Sequence, residues 1–213
     1  MHLITLDDEV TEASGEVREA ADLLRDGRIV GYATETVYGL ACDATNASAC
    51  ERLAELKGRD ESHPFPVQVY RAEPPRWTAP LPEAARLLLG AFAPGPITVV
   101  VPGDPRIAPR AKGADGSVGL RVPDHPVALA LLSAFGEPVA CPSANRSGSP
   151  PALRAEEIAA AFGSGVEMVL SGGPPPSGKP STVVDVTCER PKVLRVGAMG
   201  EEQVKECLHA LCG

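Results

Sequence analysis

Residues 33–44, ATETVYGLACDA, and residues 56–59, LKGR, decide the fold predicted for this chain. The first run predicts a strand that ends in a hydroxyl-rich turn, and the residues that follow predict a helix that ends at a basic loop. Hydroxyl donors and two fixed cations, Lys57 and Arg59, thus fall within 26 residues. Such a combination is typical of a site for a small polar substrate beside a polyphosphate.

Helices and strands are predicted to alternate along the whole chain. Ser14 is expected to cap a helix that Gly27 ends, and Asn46 a helix that Gly58 ends. Further helices are predicted at 81–92, 127–135, 155–162 and 201–211, and strands at 28–33, 65–70, 97–101, 117–122, 138–141, 167–170, 182–186 and 192–196. Several links are too short for a helical crossover, which predicts an α/β fold with a mixed parallel and antiparallel sheet. No break in composition divides the chain, so residues 1–213 are expected to form a single domain.

The bulk composition excludes several classes of protein. The net charge is −8 and aromatic residues make up 4% of the chain, which argues against a duplex-binding protein or a nucleobase-stacking platform. The N-terminus lacks the pattern of a secretory signal, and no apolar run approaches the roughly 18 residues of a membrane span. The six cysteines form no CxxC pair and no Cys/His ligand spacing, which favours reduced thiols over zinc or disulfides. A cytoplasmic location with no membrane partner is therefore expected.

The run GPPPSGKP at residues 173–180 matches a phosphate-binding Walker loop as far as its lysine. Such a loop cradles phosphate with consecutive backbone N–H groups, and three successive prolines remove three of those donors. The next position should hold a hydroxyl for magnesium, and Pro180 stands there instead. The run is therefore interpreted as a rigid turn.

Two groups of residues could bind phosphate, but each also has a purely structural explanation. Lys57 and Arg59 suit the grip on a triphosphate, yet the helix dipole also favours cations at the end of a helix. The run CPSANRSG at residues 141–148 offers Ser143 and Asn145 as small donors to phosphate or sugar oxygens, although both are common turn formers. The residues alone leave both alternatives open.

Arg121 falls on a predicted strand of otherwise apolar residues. It either faces solvent or lines a cleft, where its planar fork would clamp a carboxylate. Ser181 and Arg195 have the same ambiguity. The four histidines lie far apart in the sequence, so no metal site or Ser/His/Asp constellation is predicted from them.

Eight runs, taken in order, resemble the YrdC/TsaC family, the threonylcarbamoyl-AMP synthases. The runs are TETVYGLACDA, LKGR, HPFPVQV, APGPITVVVP, SVGLRVPDHP, ACPSANRSG, STVVDVT and VLRVGA, and they extend from about residue 29 to residue 198. Each run is weak alone, whereas the whole series at compatible spacings is specific. The resemblance implies a YrdC-like twisted mixed sheet with flanking helices around a deep, positively charged groove.

The resemblance also implies a reaction. L-threonine, bicarbonate and ATP would give threonylcarbamoyl-AMP and pyrophosphate, by adenylyl transfer to the carbamate of threonine, for the threonylcarbamoyladenosine of tRNA. The reaction depends on positioning and charge neutralisation and needs no protein nucleophile. ATP is then a substrate that brings Mg²⁺, with no tightly bound organic cofactor. The expected partners are these substrates and downstream threonylcarbamoyl-transfer proteins, while direct contact with tRNA or other double-stranded RNA stays open.

Carried over position by position, the resemblance assigns residues to both substrates. Lys57 and Arg59 are the expected catalytic cations. The expected ATP site consists of Lys57, Arg59, His63, Ser117, Ser143, Asn145 and Arg195. The expected threonine site consists of Thr34, Thr36, Gln68, Arg121, Cys141 and Ser181, with Arg121 on the carboxylate. Gln68 departs from the family, because many members have a histidine near threonine at this position.

Two other functions stay open at this point. An RNA-binding protein would use the same groove without turnover of ATP, although the charge of −8 and the few aromatic residues count against it. A carbamoyl-transfer enzyme of the same fold would consume carbamoyl phosphate. Relatives of that kind carry this module inside much longer chains with zinc-binding and further catalytic domains.

Overall fold

The structure is a computed structural model that describes residues 1–7, 9–60, 63–72, 79–174 and 176–209. The helices are α1 (Gly15–Arg25), α2 (Ala47–Lys57), α3 (Glu83–Phe92), α4 (Pro126–Phe135), α5 (Ala155–Phe162) and α6 (Glu201–His209). The strands are β1 (His2–Thr5), β2 (Val30–Tyr32), β3 (Gly39–Asp43), β4 (Val67–Gln68), β5 (Ile97–Pro102), β6 (Ser117–Arg121), β7 (Val139–Ala140), β8 (Met168–Ser171), β9 (Thr182–Asp185) and β10 (Lys192–Arg195).

These strands form one sheet in the order β1-β8-β2-β3-β7-β4-β6-β5-β9-β10. The pairs β1–β8, β2–β8, β4–β6 and β5–β9 are parallel. The pairs β2–β3, β3–β7, β4–β7, β5–β6 and β9–β10 are antiparallel. The predicted α/β class and the mixed sheet are therefore confirmed.

Successive residues of β3 pack into two different hydrophobic clusters, because side chains alternate between the faces of a strand. Leu40 and Cys42 belong to the larger cluster, which also holds buried residues of α2, α3 and α5. Ala41 belongs to the second cluster, which is built mainly by α1 and α4. The sheet is thus covered by helices on both faces, and the loops at its strand ends are left to build a site.

The ends of α1 and α2 lie where the sequence predicts them. Asn46 accepts the N–H of Ala49 at 3.0 Å with its side chain, and Gly58 ends α2 in the left-handed conformation with φ 61°. Ser14 precedes α1, but its hydroxyl accepts the N–H of Thr11 instead of capping the helix. The capping residues therefore place Lys57 at the last position of α2.

Other predicted elements differ from the structure. The strand predicted at 65–70 is reduced to Val67–Gln68, since Pro66 has no N–H to donate to a neighbouring strand. Strands β1 and β3 are not predicted from the sequence; β3 begins with Gly-Leu-Ala, which lacks the β-branched residues typical of strands. The helix predicted at 201–211 is observed as Glu201–His209, and its last two predicted residues lie outside the described ones.

The start of β3 requires a glycine. A Cβ on Gly39 would lie 2.3 Å from Cys141 Sγ, far inside van der Waals contact. Gly39 forms a β-bridge with Ser143, and the Leu40 N–H donates to Pro142 O at 3.0 Å. The segment after β7 therefore lies directly against the turn that precedes β3.

Gly39→Ala is expected to lower the free energy of unfolding by about 1–3 kcal/mol, the usual cost of overpacking a closed interior. Gly90→Ala in α3 is the matched control, because its added Cβ would meet nothing within 4 Å. Alanine should be neutral there or stabilising by up to about 1 kcal/mol. Urea unfolding of both variants measures the difference, and equal stabilities would contradict the close approach of Gly39 to Cys141.

Candidate active site

Two adjoining cavities lie where the turn before β3, the end of α2 and the segment after β7 meet. The first, here called the Lys57 cavity, measures about 280 Å³ and is lined by Lys57, Gly58, Arg59, Asp60, His63, Ser143, Asn145, Ser147 and Gly148. The second, the Arg121 cavity, measures about 120 Å³ and is lined by Thr36, Val37, Arg59, Pro66, Gln68, Thr98, Arg121, Cys141, Pro142, Ser143, Pro180, Ser181 and Arg195. Arg59 and Ser143 line both, so the cavities share a wall.

Lys57 joins the end of α2 to the loop after β7. Its side chain is buried, and Nζ donates to Ser143 O at 2.6 Å and to Asn145 O at 2.5 Å. An ammonium has three N–H groups, so one remains for a ligand in the cavity. Burial, followed by the charge of Arg59, lowers the pKa of Lys57 to about 8. A bound anion would stabilise the charged form and raise this pKa again.

The loop after β7 is held by its own hydrogen bonds. Ser143 Oγ donates to Asn145 Oδ1 at 2.5 Å, while Asn145 Nδ2 donates to Arg146 O and Ser149 O at 2.9 and 2.8 Å. The Ser147 N–H donates to Lys57 O at 2.9 Å. Because these donors are already engaged, Ser143 and Asn145 must rotate their polar groups before they can donate to a ligand.

Arg59 is fixed on the shared wall by the segment that follows it. Its Nε donates to His63 O at 2.9 Å and its Nη2 to Pro64 O at 3.3 Å, and the guanidinium lies 5.3 Å from the Phe65 ring centroid. Burial is the main cause that lowers its pKa, to which Arg110 and Arg195 add while Asp60 opposes. Arg59 is thus a preorganised cation between the two cavities.

Arg121, at the end of β6, is held by the turn before β3. Its Nη2 donates to Glu35 Oε1 at 2.7 Å and to Thr36 Oγ1 at 2.8 Å. The hydroxyls of Thr36 and Thr34 lie 2.9 Å apart, and Thr34 Oγ1 donates to Val37 O at 2.6 Å. Arg121 Nε and Glu35 Oε2 are buried without a hydrogen-bond partner. The ion pair is therefore incompletely satisfied at the cavity wall.

Ser181 and Arg195 also line the Arg121 cavity. Ser181 Oγ lies 2.8 Å from Thr98 Oγ1, while Arg195 donates to Ser181 O through Nε and Nη2 at 3.2 and 2.9 Å. Burial, followed by the charge of Arg121, lowers the pKa of Arg195. Three cations, Arg59, Arg121 and Arg195, therefore line this cavity.

Two backbone donors of the run at 173–180 are used within the protein. The N–H groups of Ser177 and Gly178 donate to Glu35 O and Thr36 O, both at 2.9 Å. These donors are not free to cradle phosphate, in agreement with the interpretation as a turn. The turn packs against the residues that hold Arg121.

The structure brings most of the predicted site residues together. The Lys57 cavity holds Lys57, Arg59, His63, Ser143 and Asn145, and the Arg121 cavity holds Thr36, Gln68, Arg121, Cys141, Ser181 and Arg195. Thr34 lies behind Thr36 and does not line either cavity. Ser117 stands at the opposite end of β6 from Arg121, where its N–H and hydroxyl donate to Asp115 Oδ1 at 3.0 and 2.7 Å. It is outside both cavity linings, about 13 Å along the strand from Arg121.

Sequence reasoning missed Glu35 and Thr98. Glu35 is an acidic residue between two threonines, and only the fold shows that it pairs with Arg121. Thr98 is a hydroxyl residue on an otherwise apolar strand, the same signal that drew attention to Arg121. A polar residue on a buried strand is thus the pattern that could have found Thr98.

The described residues contain no group of three or more His, Cys, Asp and Glu side chains that could hold a metal ion. Asp60 is the one acidic residue among the described residues that line the two cavities, and His63 Nδ1 lies 3.1 Å from its Oδ1. Magnesium usually keeps several waters and binds through one or two carboxylates and substrate phosphates. The residues present therefore fit a metal that arrives with a polyphosphate.

In the part of the chain that the structure describes, none of the helices has the length and apolar character to cross a membrane.

Comparison with known proteins gives concordant results for sequence and structure. A model for Sua5, YciO and YrdC proteins, described as "Telomere recombination", matches residues 22–197. A threonylcarbamoyl-AMP synthase of Bacillus subtilis is 36% identical over 204 residues, which are 95% of this chain and 59% of that protein. A putative threonylcarbamoyl-AMP synthase of Mycobacterium tuberculosis is 37% identical over 200 residues, with 92% of this chain and 91% of that protein covered.

Among solved structures, Pyrococcus abyssi Sua5 complexed with L-threonine superimposes with a TM-score of 0.91 at 33% identity, covering 98% of this chain and 61% of that one. Escherichia coli YciO superimposes with a TM-score of 0.84 at 26% identity, covering 94% and 98%. The chain spans 59% and 57% of the length of the Bacillus and Pyrococcus relatives.

The cost of the buried Lys57 charge is expected to appear in the pH dependence of stability. The pKa of Lys57 is about 8 in the folded chain, against 10.5 for an ordinary lysine, so the unfolded state binds more protons between these values. The free energy of unfolding should therefore gain a contribution that rises with pH across this window, by at most about 1.4 kcal/mol per pH unit.

Urea unfolding of wild type and Lys57→Met between about pH 7 and 10.5 isolates this contribution as their difference. Lys192→Met is the control, because that lysine is exposed at the start of β10. A difference between wild type and Lys57→Met that does not change with pH would show that the lysine is not penalised by burial.

Proposed function

This chain belongs to the Sua5/YciO/YrdC family, and we propose that it is a threonylcarbamoyl-AMP synthase. It would convert L-threonine, bicarbonate and ATP into threonylcarbamoyl-AMP and pyrophosphate. The observation that carries the proposal is the pair of cavities that share Arg59 and Ser143. One cavity is suited to phosphates and the other to a small amino acid, and the reactants would meet at the shared wall.

The Lys57 cavity is suited to the phosphates of ATP. Lys57 has one N–H left for a ligand, and Arg59 is already oriented by His63 O and Pro64 O. Ser143 and Asn145 would turn their donors from each other to phosphate oxygens. Magnesium bound to the nucleotide would neutralise part of its charge, and Asp60 has the oxygen ligand that this ion prefers.

The Arg121 cavity is suited to threonine. Arg121 would bind the carboxylate, the hydroxyls of Thr36 and Ser181 would contact its polar groups, and Cys141 would form the wall. Thr34 would act behind Thr36 through the hydrogen bond between their hydroxyls. The family relationship to a Sua5 that was crystallised with L-threonine supports this choice of amino acid.

The reaction would proceed without a protein nucleophile. The threonine nitrogen forms a bond to the carbon of bicarbonate with loss of water, and an oxygen of the resulting carbamate attacks the α-phosphorus of ATP. The bond from that phosphorus to the β-phosphate oxygen breaks, and pyrophosphate leaves. Arg59 on the shared wall would stabilise the charge that develops at the α-phosphate. Burial raises the pKa of Cys141 to about 11, so its thiol stays protonated and is not the nucleophile.

The adenylate would be used to modify an adenosine of tRNA, with transfer carried out by other proteins. A cytoplasmic location follows from this proposal, because ATP and tRNA are found there. Direct binding of tRNA is not needed for the reaction proposed at the two cavities.

The first test is pyrophosphate release from ATP and bicarbonate, with and without L-threonine. Arg59→Ala is expected to lower kcat about 100-fold or more, as loss of one preorganised donor to a developing charge typically does. Arg121→Ala is expected to raise the KM for threonine about 10- to 100-fold, because a charged hydrogen bond to a carboxylate contributes about 1.5–3 kcal/mol.

Arg28→Ala is the control, because this exposed arginine pairs with Glu167 at 3.5 Å and lies outside both cavity linings. Its kinetics should match the wild type. A folded wild type that binds ATP but releases no pyrophosphate with threonine would overturn the proposed function. Consumption of carbamoyl phosphate, or RNA binding without ATP turnover, would then identify one of the alternatives.

ATP binding at pH 8 is expected to take up protons through Lys57. At a pH equal to its pKa, the Lys57 amine is neutral in about half of the protein molecules. Bound phosphates would shift these molecules to the charged form of Lys57. Calorimetric titration in buffers of different ionisation enthalpy should show an uptake that approaches about half a proton per ATP. Lys57→Arg keeps the charge at every pH and should abolish the uptake; equal uptake by both proteins would assign it to another group.

A further inference from the structure

Gln68 and Arg121 are cross-strand neighbours on the wall of the Arg121 cavity. They are directly paired in the register of the parallel strands β4 and β6. Paired side chains on one face of a sheet lie about 5 Å apart at Cβ and can act on the same ligand. Both residues are buried, and both line the cavity.

A buried tyrosine determines which end of the Gln68 amide faces the cavity. The Tyr32 hydroxyl donates to Gln68 Oε1 at 2.9 Å, and the Tyr32 side chain is completely buried. The phenol has a single O–H, and this O–H is given to the amide oxygen of Gln68.

This hydrogen bond leaves the Gln68 amide nitrogen for the cavity. Among the described residues, the buried side-chain atoms that lack a partner are Glu35 Oε2, Arg121 Nε and His125 Nδ1. Gln68 Nε2 is not one of them, so it borders the open space of the cavity that Gln68 lines. Gln68 and Arg121 both line this cavity, so the two cross-strand neighbours can donate to the same ligand.

We propose that Tyr32 is a positioning residue, which holds the Gln68 amide so that its NH₂ group is a second donor, beside Arg121, for the carboxylate of the bound amino acid. This inference rests on the proposed function, because it concerns the amino-acid substrate of that reaction. Tyr32 itself does not touch the ligand. Its contribution is to exclude the flipped amide, which would place a carbonyl oxygen against the carboxylate.

The Gln68 amide is a neutral hydrogen-bond donor that does not titrate. The titratable groups that face it are Tyr32, Cys141, Arg121 and, through Arg121, Glu35. Burial is the main cause that raises the pKa of Tyr32 well above its ordinary value and the pKa of Cys141 to about 11. Tyr32 and Cys141 therefore stay protonated around neutral pH, whereas a histidine at position 68 would titrate there.

The first experiment compares threonine kinetics of wild type, Tyr32→Phe and Gln68→Leu at saturating ATP and bicarbonate. Tyr32→Phe should raise the KM for threonine about 3- to 10-fold, and Gln68→Leu about 10- to 100-fold, with kcat within about twofold of wild type. The double variant should match Gln68→Leu, since Tyr32 acts through the amide. Tyr70→Phe is the control, a half-buried tyrosine outside both cavity linings that stacks with Arg71 at 5.2 Å.

The outcomes separate this inference from the proposed function. If wild type shows no threonine-dependent pyrophosphate release, the proposed function fails and this inference fails with it. If wild type is active but Tyr32→Phe has the threonine KM of Tyr70→Phe, or its effect multiplies with that of Gln68→Leu, the inference alone is overturned. A lower melting temperature of Tyr32→Phe with an unchanged KM would show a purely structural tyrosine, which also overturns it.

The second experiment uses Gln68→His, which introduces an ionisable group at position 68 and keeps a polar side chain there. The ratio of its threonine KM to that of wild type, measured from about pH 5.5 to 8, cancels the titration of the substrates themselves. The ratio is expected to change at least about threefold across the imidazole pKa. A ratio that is independent of pH would show that position 68 makes no contact with the amino acid, and would overturn the inference even if Tyr32→Phe folds poorly.

Discussion

The candidate site depends on one buried cation. Lys57 ends α2, and its ammonium donates to two carbonyl groups of the segment after β7, at Ser143 and Asn145. A buried charge is costly unless it is hydrogen-bonded, so these carbonyls and the negative end of the α2 dipole are what keep the ammonium inside the protein. The same bonds hold the loop at the distance that leaves two cavities on either side of Ser143. Without the hydrogen bonds of Lys57, the loop after β7 would not be held against α2, and Ser143 would not form the wall that the two cavities share.

The arginines of the site are concentrated in one place, although the net charge of the chain is −8. Arg121 is partly neutralised by Glu35, while Arg59 and Arg195 are held mainly by backbone carbonyls. Carbonyl groups orient an arginine without cancelling its charge, so these two cations remain available to an anion. Holding the arginines by carbonyl groups allows a cation-rich site in an acidic protein. Burial in this site lowers the pKa of Arg59 and of Arg195.

The sequence predicted elements well where local chemistry decides and poorly where distant pairing decides. The Asn46 cap, the Gly58 stop and helix α5 at 155–162 depend on neighbouring residues and agree with the structure. Strands β3 and β4 depend on partners far along the chain, and β3 was missed while β4 is only two residues long. Similarly, the residues named from motifs mostly line the cavities, but their roles on each substrate remain proposals. The amide orientation of Gln68 and the pairing of Glu35 with Arg121 arise from contacts 36 and 86 residues apart, which no local pattern contains.

The parallel pairing of β5 with β9 joins Ile97 to Thr182 and brings Ser181 and Arg195 to the Arg121 cavity. Such a pairing cannot form until the ribosome has made the second strand, and contacts between distant residues are also slow to form. A growing chain that has reached β8 already contains Lys57, Arg59 and Arg121, yet it lacks one whole wall of the site. During synthesis, the residues that complete the Arg121 cavity are therefore added last, and this cavity can be enclosed only after β9 and β10 have been made.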